Sequence, residues 1–232
     1  MQLRFCVTTC MALMCSSTPV YAVSYGHEEC VWHGVLVNNK QSNYKFVVYP
    51  SAFNSTLTYS TYSYITSWNN ISDNVHTQKL FYSPDLQNQN YERIEGCDLG
   101  DNILGRMIPY DCSNQPFDEN TNPILNSNWY RVVIKVNTRQ YNYSNSYQTI
   151  FSYYSTPYCT PAQLANSTII HEVGHALKLK HPKKDCSLFY HMHNFNDYPS
   201  SIMNEGIRDA STLYISNTIT IHDECELKFK WD

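Results

Sequence analysis

The chain is 232 residues long, with 16 Lys+Arg, 20 Asp+Glu and a formal charge of -4. That length suits one domain with a sizeable core, and the charge gives no basic footprint for nucleic acid. No apolar run reaches the roughly 20 residues that span a bilayer, so neither a nucleic-acid partner nor a membrane anchor is expected.

Residues 1–22, MQLRFCVTTCMALMCSSTPVYA, have the layout of a secretory leader. Arg4 supplies the positive start, an apolar stretch follows to Cys15, and Val20 and Ala22 frame a cleavage point after Ala22. The expected product is a secreted, monomeric chain of one domain, residues 23–232. It keeps Cys30, Cys97, Cys112, Cys159, Cys186 and Cys225, an even set without a C-x-x-C pair, which in an oxidising compartment reads as disulfides. Cys97 with Cys112 is the first pairing expected, closing a loop of a length credited with about 3 kcal/mol. Cys186 with Cys225 and Cys30 with Cys159 follow, although sequence alone leaves the connectivity open. Asn54, Asn70, Asn142 and Asn166 each open an N-x-[ST] triplet, a pattern that arises easily in so polar a chain.

In chain order, VWHGVLV (31–37) and YKFVVYP (44–50) are rich in β-branched and aromatic residues and predict strands. Leu57, Tyr64, Ile65 and Trp68 recur at intervals that suit an amphipathic helix over 55–72. TQKLFYS and NILGRMIPY predict short strands, and NWYRVVIKVN (128–137) the strongest one. A helix is then expected from Pro161 to about Lys178, with Thr160 as N-cap, Gln163 completing a capping box and Pro161 at the first helical position.

That helix carries TIIHEVGHALKLKHPKK, residues 168–184. His171 and His175 lie four apart on one face, so their imidazoles can reach one ion. His181 follows once the chain has turned back. Zinc takes about four ligands, and a catalytic site keeps one position open. Glu172, beside the first histidine, is then placed to take a proton from water rather than to bind the ion. A bare H-E-x-x-H arises often by accident; His181 and the downstream SIMN raise its specificity.

HEVGHALKLKH followed by Ser201, Ile202 and Met203 resembles the metzincin zinc metalloproteases, most closely the matrixin-like branch. The order of elements, ending in a closing helix IHDECELKFKW, is similar to such catalytic domains over most of the mature chain. The resemblance implies an α+β fold: a twisted, mostly parallel sheet with packed helices, an active-site helix closing an N-terminal subdomain (23–181), and a small C-terminal subdomain (182–232) holding the Met-turn and the final helix. It implies Zn2+ on His171, His175 and His181, Glu172 as general base, and Met203 as a hydrophobic floor beneath the metal. The implied activity is a zinc metalloendopeptidase acting on protein or peptide substrates.

Three departures bear on these expectations. Lys178 stands where the family has glycine, so Lys178 or a neighbour is expected to take positive φ at the helix exit. Glu205 stands where some branches carry a metal-facing tyrosine, and Cys30 lacks the setting of a cysteine switch. His191 and His193 in HMH are competitors for the third ligand. The alternative from another class is a secreted, non-catalytic binding module on a metzincin-like fold, against which Glu172 argues, because a structural three-histidine site has no use for it.

Overall fold

The computed structural model describes residues 31–32, 34, 42–49, 64–87, 89, 91–100, 103–117, 127–138, 161–182, 201–203 and 218–232. Five strands form one sheet: β1 (Ser42–Val48), β2 (Val75–Phe81), β3 (Glu92–Cys97), β4 (Gly105–Tyr110) and β5 (Arg131–Asn137), in the order β2-β1-β3-β5-β4. All neighbours run parallel except β4, which pairs antiparallel with β5 at one edge. Among the described residues two helices follow, α1 (Pro161–Ala176) and α2 (Ile221–Trp231). The chain is thus α+β with a mostly parallel sheet, as expected.

β4 and β5 fall inside the stretches their β-branched and aromatic content marked, and β1 and β2 each begin two residues before theirs, YKFVVYP and TQKLFYS. β5 is buried almost throughout, through Val132, Val133, Ile134 and Val136, which is how a strand covered on both faces reads. β3 has no such run. Its sequence ERIEGC has three charged residues among its first four, yet it lies between β1 and β5. Its buried Glu92 accepts a hydrogen bond from the Lys45 backbone N–H at 3.1 Å, which helps satisfy a carboxylate inside the sheet.

Of the strand expected over 31–37, Val31 forms an isolated antiparallel bridge with Leu179; most of that stretch lies outside the described residues. Of the helix expected over 55–72, residues 64–72 are described: Tyr64 and Ile65 are helical and pass into a 3-10 turn, Thr66–Trp68. The expected Thr160 cap lies outside the described residues, as do residues 1–22.

The core lies between the sheet and α1. Ala165, Ile169, Ile170, Val173 and Ala176 are buried against Phe46, Ile94, Trp129 and Ile134, among others. Two polar ties fix the helix against the sheet side. Trp68 Nε1 donates to the Ile170 carbonyl at 3.2 Å, and Tyr44 Oη donates to the Ala176 carbonyl near the helix end. α2 starts in a capping box between Thr220 and Asp223 and ends with Trp231 Nε1 donating to the Leu177 carbonyl at 2.9 Å, which satisfies an oxygen left over at the exit of α1. Among the described residues no helix is long and apolar enough to cross a membrane.

The expected Cys97–Cys112 disulfide is not formed, and Cys97, Cys112 and Cys225 are free thiols. The register explains the first two. Cys97 lies opposite Asn137 at one end of β5, whereas Tyr110, two residues before Cys112, lies opposite Arg131 at the other end. Six residues of strand separate those positions, about 20 Å at the usual rise, and a disulfide spans Cα atoms only about 4.4–6.8 Å apart. Loop length in sequence carried no information about the antiparallel turn that intervenes. Cys30, Cys159 and Cys186 lie outside the described residues.

Candidate metal centre

The i, i+4 spacing on α1 sets the rings of His171 and His175 side by side, with centroids 4.5 Å apart and nearly perpendicular planes. The chain then reverses and brings His181 to both. His181 Nε2 lies 3.1 Å from His171 Nε2 and 3.0 Å from His175 Nε2. The three side chains offer one nitrogen each within 4.8 Å of one another.

The ring orientations are fixed from behind. His171 Nδ1 is 2.8 Å from the Ile202 carbonyl and His175 Nδ1 is 2.8 Å from the Leu179 carbonyl. A carbonyl can only accept, so each Nδ1 carries the proton and each Nε2 presents its lone pair inward. That arrangement of ring and outer carbonyl is the one metal-ligating histidines use. Tetrahedral zinc with nitrogen ligands at about 2.0–2.1 Å needs donors about 3.4 Å apart, so small movements of the rings would fit the residues present to the ion. Burial, followed by the neighbouring His171 and His181, holds His175 well below the usual histidine range, which favours the neutral ring that a metal requires.

The reversal is built from backbone chemistry. Lys178 N–H donates to the His175 carbonyl at 2.9 Å and Leu179 N–H to the Gly174 carbonyl at 3.0 Å, the paired bonds of a Schellman ending. Lys178 has φ 75°, the left-handed conformation expected there, at a cost of about 1–2 kcal/mol for a residue with a Cβ.

Ser201, Ile202 and Met203 form a buried turn under α1. A Cβ placed on Gly174 would come 2.3 Å from Met203 Sδ, so the helix and the methionine touch only because residue 174 has no side chain. The turn is held by Asp223 of α2. Its carboxylate accepts from Ser201 Oγ, from the Ile202 N–H at 3.0 Å and from the Thr220 N–H at 2.8 Å. Ile202 therefore joins Asp223, through its N–H, to His171, through its carbonyl.

Glu172 is buried beside His171, with its carboxylate toward the edge strand. It accepts a hydrogen bond from the Met107 backbone N–H, and a Cβ on Gly105 would lie 3.1 Å from its Cγ and its Oε1. Burial pushes this carboxyl up to about 8, while the Met107 bond and Arg106 pull it down. A cation held by the adjacent histidines would lower it further.

Comparison with protein-family models, curated proteins and solved structures finds no match. The site stands on its own geometry. It brings together His171, His175 and His181, with Glu172 next to the first and Met203 packed on the intervening Gly174. His191 and His193 lie outside the described residues. Sequence reasoning missed Asp223 and Trp32, whose ring lies 5.3 Å from that of His175. Thr220-x-x-Asp before an apolar-periodic stretch was a signal for the first; none pointed to the second.

Proposed function

We propose that the chain is a secreted zinc-dependent endopeptidase of the metzincin type, acting on protein or peptide substrates. What carries this reading is the convergence of three imidazole Nε2 atoms, two of them oriented by Nδ1–H bonds to carbonyls, with a buried glutamate adjoining the first ligand. His171, His175 and His181 would hold the ion. A divalent cation there supplies Lewis-acid chemistry, polarising a carbonyl oxygen and making water more acidic.

The chain's own residues do the rest. Glu172 takes a proton from the attacking water as its oxygen bonds to the scissile carbonyl carbon, and delivers that proton to the departing amine nitrogen as the C–N bond breaks. The hydrogen bond from Met107 N–H and the crowding at Gly105 limit where the carboxylate can move. Met203 and Ile202 fix the side of α1 that carries His171. The buried turn Ser201–Ile202–Met203, packed on Gly174 of α1 and held by Asp223 of α2, supports this reading.

Glu172→Gln tests the reading, because the amide keeps shape but accepts no proton. The expected variant retains one zinc per chain and loses cleavage of unfolded casein by about 10²–10⁴-fold. Near-wild-type cleavage by Glu172→Gln, or no cleavage by the zinc-loaded wild type, would overturn it.

A further inference from the structure

Lys178 is fully buried, with 0% of its surface exposed, although it occupies a helix-exit position where glycine is the easiest residue. Its side chain does not turn to solvent. Nζ donates to the Ser127 carbonyl at 2.8 Å and lies 3.2 Å from the centroid of the Trp129 ring. Both partners belong to the segment that leads into β5. Trp129 in turn meets Trp32 edge-on at 5.7 Å, and Trp32 N–H donates to the Lys178 carbonyl at 2.8 Å. Trp32 also lies against His175.

The residue after Lys178 supplies the Leu179 carbonyl that orients His175, and His181 comes two residues later. The position of the lysine thus governs two of the three ligands. We propose that Lys178 is a positioning residue of the metal centre: its Nζ–H bond to Ser127, across Trp129, anchors the helix exit and thereby sets the Leu179 carbonyl and His181. The inference rests on the metal reading of the three histidines and adds to it a residue that touches neither ion nor substrate. Burial, with Lys230 nearby, pushes the amine down to about 6; the N–H donor to Ser127 exists in either charge state.

Lys178→Gly relieves the left-handed backbone but removes the anchor. Lys178→Met keeps the stem over Trp129 and removes only the donor. Both are compared with wild type by titrating Co2+ into metal-stripped protein and recording the visible d–d bands, with far-UV circular dichroism as the check of folding. The expected result is Co2+ binding weakened at least about tenfold in both variants, with bands shifted in position or intensity. A Lys178→Gly variant with wild-type affinity and bands overturns the proposal. If that variant does not fold, Lys178→Met decides: weakened binding at native helicity supports the anchor, and wild-type binding overturns it. Absence of Co2+ binding by the wild type would instead mean that the metal reading itself fails, and His175→Ala provides the reference for that outcome.

Discussion

Gly174→Ala sets two effects of opposite sign against each other. In an open helix the change stabilises by about 1 kcal/mol, since glycine has the higher conformational entropy to lose. Here the new Cβ would lie 2.3 Å from Met203 Sδ, 3.2 Å from Met203 Cε and 3.0 Å from Trp68 Cζ2. Met203 is 2% exposed and Trp68 fully buried, so neither can swing into solvent, and overpacking of this kind costs about 1–3 kcal/mol. Taking about 2 kcal/mol for the clash leaves a net loss of about 1 kcal/mol, or about 2–4 °C in Tm for a chain of this size. Differential scanning calorimetry of metal-stripped protein reads that shift directly. Met203→Ala costs about 2–5 kcal/mol by itself, but adding Gly174→Ala to it should cost nothing further, because the two changes share a contact and are not additive. A rise in Tm for Gly174→Ala alone would mean that Met203 is not pressed against α1.

Glu226 is pushed up to about 8, first by burial and then by Asp223. The folded chain therefore holds a proton that the unfolded chain releases near the usual carboxylate range, and this group's contribution to stability falls as pH rises from about 4.5 to about 8. Glu226→Gln should flatten that part of the profile in urea titrations at a series of pH values; an unchanged slope would contradict the shift. Asp223→Ala should cost about 2–4 kcal/mol, because it removes the helix cap and leaves the buried Ile202 N–H without its acceptor. The same variant should bind Zn2+ about tenfold more weakly through loss of the Ile202 carbonyl's position behind His171. Wild-type zinc affinity in a folded Asp223→Ala chain would disconnect Asp223 from the site.

What was legible in the sequence was local. The i, i+4 histidines follow from the spacing of their own residues and β5 from its β-branched content, and positive φ at Lys178 follows from the need to turn sharply at the exit of α1; the closing helix α2 was expected only through the resemblance. What was not legible depended on partners distant in sequence. β3 is placed by its neighbours β1 and β5 rather than by its own mostly charged residues, so tertiary pairing overrode its weak local signal. The Cys97–Cys112 pairing failed for the same reason, since strand direction and register decide which cysteines meet. Asp223 stands in an ordinary capping pattern in the sequence; that its carboxylate also holds Ile202 required knowing that α2 packs against the Ser201–Met203 turn. The buried course of Lys178 could not be read at all, because a lysine side chain is ordinarily solvated.

X-ray absorption at the zinc K-edge, on chain loaded with one equivalent of Zn2+ and dialysed, tests the central claim most directly. The expected result is retention of one ion per chain with three histidine nitrogens at about 2.0–2.1 Å, and loss of one of those nitrogens, with weaker retention, in His181→Ala. Failure to retain zinc would contradict it, as would an intact three-histidine shell in His181→Ala that collapses instead in His191→Ala or His193→Ala.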